Sequence, residues 1–344
     1  MALTPRKTYP ELTALAAPVV DGDVLAAYRS PGPLRRLTAS TFADYIKAFF
    51  SPTTGAGLVG AIITQTGGQA RTLGDAFLDQ SHNVMNFIPA NLRSAIRAGT
   101  STANLSTYVQ AAIDAVGLVY FPSGRYNFNV TITRSYAGLV GEQAGNQELD
   151  GTWIAGTVFW PVDYALPLVN VDANTAGETL NYITFRDFYA FGWSDGPGIK
   201  TVGTGTLRRV DYVEMTRIQI YRFGTGLQLQ AGGLDWVLTD VHSLHNAVDG
   251  VNIDTTTGPC NGWLWAKCSF TQNGRHGLYA RKTDISIEVS YAHTFIGCAS
   301  EYNGTDTDEM LIRAWYFSNF DQVTMIGCTG EGSAYLRSGV DCVE

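Results

Sequence analysis

The amino-acid sequence predicts an all-β protein, a parallel solenoid in which short strands wind into stacked coils. Three β-prone segments place Cys268, Cys298 and Cys328 at an even offset, since 298 − 268 and 328 − 298 both equal 30. The turns that follow the first two segments repeat as well, because Asn273 and Asn303 share that offset and each precedes a glycine. Self-similarity at a period of roughly 20–50 residues indicates stacked supersecondary units. Units this short bury their apolar faces only against their neighbours.

Weaker copies of the repeat precede these segments, and each combines an alternating strand, a turn and a second short strand. They cover residues 183–192, 215–224 and 240–246. Coils in register lie about 4.8 Å apart, so equivalent side chains should form ladders along the stack. We expect the cysteines to point inward. We expect Asn246, Asn273 and Asn303 to line a turn, where asparagine tolerates the left-handed backbone.

Apolar residues occur on both sides of the best-defined strands. Phe295 and Met325 alternate with Ile296 and Ile326. One set fills the interior of the coil, and the other set needs cover, which a subunit interface would supply. A bend in the strand is the alternative explanation.

The composition supports this fold class and excludes other classes of protein. Only 16% of the residues are charged, 12% are aromatic and 37 are glycine, as expected of a protein made of strands and turns. The net charge of −8 provides no basic surface for a nucleic acid. No apolar run approaches the roughly 18 residues of a membrane span. The first ten residues lack the apolar core of a signal peptide, so we expect assembly in a cytoplasm and no membrane insertion.

The five cysteines are predicted to be buried, reduced thiols rather than a disulfide framework. Zinc is the alternative, but no Cys-x2-Cys spacing occurs in the chain. We therefore expect neither a metal site nor a cofactor.

The chain divides into three predicted regions. Residues 1–52 form a small α+β module whose closing helix has an apolar face, and a module of this size is stable only when oligomeric or docked on a larger body. Residues 53–104 form a neck that begins with a linker rich in proline, glycine and threonine. Residues 105–344 form the solenoid, entered through a helix that Ser106 caps. The sequence stops at Glu344 directly after a coil-like segment, so we expect either a truncated solenoid or an end that a partner covers.

The helix and the strand after it resemble a known family. The run 109–126 is similar to the opening of the pectate-lyase-like, right-handed parallel β-helix of bacteriophage tailspikes, in which a short helix plugs the N-terminal end. The motif Tyr-Phe-Pro-x-Gly-x-Tyr of the first coil is present as Tyr120–Tyr126. Residues 57–75 resemble a tailspike neck, and residues 11–50 resemble the virion-attachment module of tail fibres and spikes. The Gly/Asp-rich segment common before the helix is absent, and residues 91–102 stand in its place.

The resemblance implies a homotrimer in the virion tail that binds a tail or baseplate protein through residues 1–52. Such a protein is assembled in the host cytoplasm and acts outside the host cell, where it recognises a surface polysaccharide and in some cases cleaves it. The alternative is a non-catalytic structural tail fibre or adaptor protein with the same fold.

For catalysis, the sequence favours glycoside hydrolysis over a lyase reaction. Strict alternation from the cysteines points Glu301 and Glu331 outward on adjacent coils, roughly 5 Å apart, which is the separation used by retaining glycosidases. Repulsion between the two would raise one pKa and so create an acid and a nucleophile. Three further carboxylates are candidates for a supporting role: Asp306, Asp308 and Glu309. The alternative is a pair of solvated surface groups.

A lyase would need a base beside a charge-neutralising group, and the candidates lie on one coil: Arg275, His276, Tyr279 and Arg281. His242 and His245 are predicted to be turn and ladder residues. Aromatic side chains stack on sugar rings, and five are candidates for substrate binding: Trp263, Trp265, Tyr302, Trp315 and Tyr316. Some of these five are expected to belong to the core or to an interface instead.

Overall fold

The structure is a computed structural model of the chain. It describes, with their side chains, residues 82–144, 155–193, 195–205, 207–254, 258–281, 292–304, 314–318, 320 and 322–330, and it describes the backbone of some strands outside these ranges. The chain divides into two compact units, residues 1–80 and 81–344.

The first unit contains two described antiparallel pairs. These are β1 (Val24–Ala27) with β2 (Arg35–Thr38), and β3 (Gly60–Ala61) with β4 (Arg71–Thr72). The rest of the predicted attachment module and the first part of the neck, including the closing helix of the module, lie outside the described residues.

The second unit consists mainly of short strands. Its helical segments are a 3-10 turn (Val84–Asn86), α1 (Ala90–Arg97), α2 (Ser106–Val116) and α3 (Ala173–Ala176). Its strands are β5 (Leu118–Phe121), β6 (Gly124–Asn127), β7 (Val130–Ile132), β8 (Gly138–Gly141), β9 (Asn146–Gln147), β10 (Trp153–Ala155), β11 (Thr157–Trp160), β12 (Val169–Asp172), β13 (Leu180–Phe191), β14 (Ile199–Val202), β15 (Val210–Tyr221), β16 (Leu227–Leu229), β17 (Gly233–Leu234), β18 (Val237–Leu244), β19 (Val251–Thr255), β20 (Cys260–Asn261), β21 (Leu264–Ala266), β22 (His276–Lys282), β23 (His293–Ile296), β24 (Ala299–Ser300), β25 (Arg313–Ser318), β26 (Val323–Ile326), β27 (Thr329–Gly330), β28 (Tyr335–Leu336) and β29 (Val340–Val343).

Two long parallel sheets carry the fold, and the chain alternates between them. The first sheet has eleven strands, in the order β6, β11, β13, β15, β18, β21, β23, β26 and β29, with β8 joining β5 to β13. The second sheet has eight strands, in the order β7, β12, β14, β16, β19, β22, β25 and β28. Each coil therefore stacks on the one before it, and the predicted parallel β-helix is confirmed.

The strand register confirms the period of 30 residues in the last coils. Trp265 pairs with Phe295, and Phe295 pairs with Met325. All three side chains point into the core, which runs along the solenoid as one continuous cluster of apolar residues.

The cysteine ladder also forms as predicted. Cys268 and Cys298 are buried and Cys328 is half-buried, and the four described cysteines, Cys260 included, are free thiols. A hydrogen bond with the thiol of Cys268 is the main cause that raises the pKa of Cys298 to about 12. The thiol of Cys298 is therefore protonated at neutral pH.

The asparagine ladder forms too, but its backbone differs from the prediction. The Asn246 side chain donates to Asn273 Oδ1 at 2.8 Å, and the Asn273 side chain donates to Asn303 Oδ1 at 3.0 Å. The left-handed residue at each turn is the one before the asparagine, as at His245 and Gln272. The asparagines are placed instead by their amides, which turn inward and bond along the stack.

Left-handed residues bend the first sheet along one line. Asp187, Arg217 and Asp240 occupy equivalent places on successive strands and have φ values of 61°, 50° and 57°. Because such a residue interrupts the alternation of the strand, Phe185 and Phe188 both point into the core although they are three residues apart. The sheet thereby covers two sides of the solenoid.

Helix α2 closes the N-terminal end of the core with Val109, Ala112 and Ile113, which confirms the predicted capping helix. Its N-cap residue is Leu105 and not Ser106, whose hydroxyl instead accepts a hydrogen bond from a backbone N–H on the first coil. Apolar residues from the 3-10 turn and α1 belong to the same core. Residues 82–104, which the sequence assigns to the neck, therefore pack with the solenoid.

Candidate functional site

Three of the aromatic residues predicted to bind substrate lie in the core instead. Trp263, Trp265 and Trp315 are almost entirely buried, because they occupy the inward positions of their strands. Trp263, for example, stacks on Trp236 at 4.2 Å, and its indole N–H donates to the carbonyl of Gly233. The prediction is wrong for these three tryptophans, since none of them reaches a surface where a ligand binds.

The two tyrosines of that set do reach the surface. Tyr302 is 64% exposed and holds a left-handed turn with φ of 52°. Tyr316 is half-buried on the outer side of β25, where its ring stacks on Tyr279 of β22 at 4.7 Å and 7°.

Glu301 points outward, as predicted, because Cys298 and Ser300, which precede it at inward positions of the alternation, are buried. Its Oε1 accepts a hydrogen bond from the hydroxyl of Thr329 on the next coil at 3.0 Å. Glu331 and the three supporting carboxylates, Asp306, Asp308 and Glu309, lie outside the described residues. The catalytic pair therefore stays a prediction.

The lyase candidates hold one another in structural contacts. Arg275 forms an ion pair with the buried carboxylate of Asp249, with Nε 2.9 Å from Oδ1. His276 is buried beside the ring of Tyr279. A hydrogen bond with the Tyr279 side chain raises the pKa of Arg281. None of these contacts presents an open base beside a free cation.

A cluster of aromatic residues that the sequence analysis missed lies on the outside of the first sheet. Beyond the bend, the alternate residues Phe159, Ala190 and Ile220 point inward. Their neighbours point outward and form a second apolar cluster that is separate from the core. It consists of Val158, Trp160, Tyr189, Phe191 and Tyr221, all of them buried, with the partly buried Leu244 at its edge.

Two arginines cover this cluster, and we name the assembly of these residues with Trp193 the aromatic–arginine face. The guanidinium of Arg125 lies 4.0 Å from the ring centroid of Trp160, and that of Arg222 lies 4.3 Å from the ring centroid of Trp193. Trp193 is 52% exposed. Desolvation is the main cause that lowers the pKa of Arg125.

Local backbone geometry positions these groups. Arg222 takes a left-handed conformation with φ of 60° directly after β15, which turns its side chain back over the sheet. His245 takes the equivalent place on the next coil, and its ring packs against Tyr221 at 4.8 Å. Burial and the nearby Arg222 lower the pKa of His245. His245 is thus a turn and ladder residue, as predicted. Its lowered pKa keeps the imidazole neutral near pH 7.

The same outer column continues toward Glu301. Tyr221 pairs with Leu244, and the bridges from His242 to Ser269 and on to Ala299 extend the register by two more coils. Glu301 follows Ala299 by two residues, as Leu244 follows His242, so Glu301 lies in the column of Tyr221 and Leu244. An aromatic surface and a carboxylate therefore share one side of the rod.

This arrangement suits binding better than it suits a complete catalytic centre. Aromatic rings offer apolar faces to the C–H side of a sugar, and arginine offers a fork of donors to hydroxyl and carboxylate oxygens. Within the described residues no cluster of three histidine, cysteine, aspartate or glutamate side chains is arranged to hold a metal ion. In the same part of the chain no helix is long and apolar enough to cross a membrane.

No protein-family model matches the chain, and no protein of curated function matches its sequence. Solved structures do match. ORF18 of Geobacillus virus E2 is 17% identical with a TM-score of 0.58, over 76% of this chain and 53% of that one. A variant of the tailspike protein of E. coli bacteriophage HK620, in complex with a pentasaccharide, is 14% identical with a TM-score of 0.50, over 87% of this chain and 58% of that one.

This chain spans little more than half of the length of those two structures. At such identities the likeness concerns the fold, and function is carried by the site rather than the fold. The chain has the parallel β-helix fold that is found in a bacteriophage tailspike protein.

Proposed function

We propose that this chain is a bacteriophage tailspike or receptor-binding protein and that its aromatic–arginine face binds a host-surface polysaccharide. The observation that carries the proposal is the half-exposed ring of Trp193 beneath Arg222, on the outer side of the first sheet and against a buried apolar cluster that supports it. A rigid stack of coils also offers its side chains at a fixed spacing, which suits an extended, repeating ligand.

The charges of the face favour an acidic glycan. The chain as a whole carries a net charge of −8, so an acidic polymer meets repulsion over most of its surface and needs a local positive site to bind. Arg125 and Arg222 are the cations of this face, and guanidinium groups bind carboxylates with two parallel hydrogen bonds. A polysaccharide that contains uronic acids therefore fits the face well.

Binding to purified capsular and lipopolysaccharides from a panel of bacteria tests the proposal. Trp193→Ala and Arg222→Ala should each weaken binding by about five- to thirtyfold, because each removes a stacking or charged contact of roughly 1–2 kcal/mol. The matched control is Tyr136→Ala, which removes an aromatic ring that is 68% exposed away from the face. Equal binding by all three variants would sink the proposal.

Hydrolysis of the same glycan is a second candidate function, and the position of Glu301 on the outer column of the face favours it. Hydrolysis requires Glu331 of the next coil as the second carboxylate. Release of reducing ends from a polysaccharide that binds should stop in Glu301→Gln, while binding persists. Unsaturated products, detected by ultraviolet absorbance, would instead indicate a lyase.

Assembly follows from the resemblance to tail proteins, and we propose a homotrimer attached to the tail or baseplate through residues 1–52. The supporting observation is an exposed apolar strip on the outer side of the first sheet, formed by Val237, Ile296 and Ile326. Ile296→Asp should dissociate the oligomer in mass photometry. If the trimer forms and no polysaccharide binds, the protein is the structural tail component that is the alternative here.

A further inference from the structure

A cleft of about 660 Å³ lies at the N-terminal end of the solenoid. It opens between α2 and the outer side of β7 and β12 in the second sheet, with the loop before β12 as its third wall. Its lining residues are Ser106, Thr107, Gln110, Ala111, Asp114, Asn129, Val130, Thr131, Leu166, Pro167 and Asn170. The volume lies in the range of roughly 300–1,000 Å³ that is typical of small-molecule sites.

The helix wall is fixed to β7 by the side chain of Gln110, which makes two hydrogen bonds that a neighbouring strand would otherwise make with the backbone of Thr131. The Gln110 amide donates to the carbonyl of Thr131 at 2.9 Å and accepts from its N–H at 2.9 Å. The Gln110 amide therefore satisfies the backbone groups of Thr131 at the unpaired edge of β7, which is the last strand of its sheet. The same Nε2 also donates to Asp114 Oδ1 at 2.9 Å, which fixes that carboxylate at the rim.

The loop wall is held by Asn129. Its amide nitrogen donates to the carbonyl of Pro167 at 2.8 Å, and its oxygen accepts from the N–H groups of Val162 and Asp163 at 2.9 and 2.8 Å. Both walls are thus fixed without a ligand, and a preformed site binds with little cost in ordering.

The floor contains a polar atom that lacks a partner. Asn170 Oδ1 is shielded from solvent and has no hydrogen bond among the described residues. Buried acceptors are almost always satisfied. Asn170 as a whole is half-buried in the lining of the cleft, so a turn of its amide would bring this oxygen to a donor in the cleft. Apolar groups from Ala111, Leu166 and Pro167 line the remaining surface, and Leu166 is 50% exposed.

We infer that this cleft binds a single sugar residue, which is a terminal or branch unit of the glycan in the proposed function on which this inference rests. A pyranose combines the two properties that the cleft requires. Its hydroxyl groups donate to the carboxylate of Asp114 and to the amide of Asn170, and its C–H face packs on Leu166. The residues that line the cleft and those of the aromatic–arginine face do not overlap.

Saturation-transfer NMR with methyl glycosides of glucose, galactose, N-acetylglucosamine and glucuronic acid tests this inference on the full chain. At least one glycoside should give a signal. Leu166→Trp, which fills the cleft from an exposed loop, should abolish that signal. Asn170→Ala should weaken binding about tenfold, as expected for the loss of one hydrogen bond to a buried group. Asn252→Ala, on the same outer column of the second sheet, is the matched control and should leave the signal unchanged.

Absence of signal from all four glycosides, or a signal that survives Leu166→Trp, overturns the inference. A signal that is lost equally in Asn170→Ala and Asn252→Ala overturns it as well. Trp193→Ala separates this inference from the proposed function. It should reduce polysaccharide binding and leave the glycoside signal intact, whereas failure of the proposed function would show as polysaccharide binding that Trp193→Ala does not change.

Discussion

Replacing Asn273 by alanine removes the central member of the asparagine ladder. The Asn273 side chain makes four hydrogen bonds. It donates to Ser243 O and Asn303 Oδ1 at 3.2 and 3.0 Å, and it accepts from the backbone N–H and the amide of Asn246 at 3.1 and 2.8 Å. At a net value of about 1 kcal/mol for each bond, Asn273→Ala should lower the free energy of unfolding by about 4 kcal/mol. The residue is fully buried, so water does not replace the lost partners.

Equilibrium unfolding in urea, followed by tryptophan fluorescence, measures this loss. The control is Asn252→Ala, which lies on the outer side of β19 and loses one hydrogen bond, to Asp249 at 2.9 Å. We expect a loss below about 1 kcal/mol for the control. If Asn273→Ala costs no more than Asn252→Ala, the asparagines do not bond along the stack, and the superposition of coils is refuted at this turn.

Three further predictions concern a buried histidine, the thiols and the outer tyrosines. Burial lowers the pKa of His293 from 6.5 to about 4, so the unfolded chain binds this proton more readily. The free energy of unfolding should therefore fall by about 1.4 kcal/mol per unit between pH 6.5 and 4, and urea titrations of His293→Leu should lack this component. Because the pKa of Cys298 is raised to about 12, iodoacetamide should label it, in mass spectrometry, only after unfolding; labelling of the native protein would contradict the buried ladder. Tyr182 is left-handed with φ of 58° and stacks between Tyr136 and Tyr212. Relief of strain of about 1–2 kcal/mol and loss of stacking of similar size should nearly cancel in Tyr182→Gly, so a change in Tm of more than about 8 °C would show that one of the two effects has been misjudged.

The sequence predicted the fold where coil length is constant. An offset of 30 residues relates Cys268 to Cys298 and again Cys298 to Cys328, so the sequence itself predicts a ladder. The capping helix was also predictable, because Val109, Ala112 and Ile113 follow a helical period. The exact N-cap residue was not predictable, since the hydroxyl of Ser106 accepts a hydrogen bond from the backbone of the first coil rather than from its own helix.

The aromatic–arginine face was hidden because coil length varies there. Arg125 pairs with Val158, Val158 with Tyr189, and Tyr189 with Gln219, so the offsets are 158 − 125 = 33, 189 − 158 = 31 and 219 − 189 = 30. From Gln219 to His242 the offset is 242 − 219 = 23. No single period aligns these residues. The sequence does contain a run of apolar residues before Trp193, and these fall at both inward and outward positions of the strand. Such a run predicts an apolar outer side that needs cover.

The buried tryptophans illustrate a second limit. Residue type alone made Trp263 and Trp265 candidates for sugar stacking, since tryptophan serves both cores and binding surfaces. Which role applies depends on the parity of the strand, and a left-handed residue such as Lys267 changes that parity. The bend was not readable from the sequence, because lysine at this place carries none of the glycine or asparagine signature of a left-handed turn.

Hydrogen-exchange mass spectrometry of the full chain, with and without a polysaccharide to which it binds, can locate the surface that the polysaccharide contacts. Backbone amides from Tyr189 to Trp193 and from Gln219 to Arg222 should exchange more slowly in the presence of the polymer, because they carry the aromatic–arginine face. Amides in the exposed strip around Ile296 and Ile326 should not change. Protection confined to other surfaces, with no change in those two segments, would contradict the assignment of this face as the site of glycan recognition.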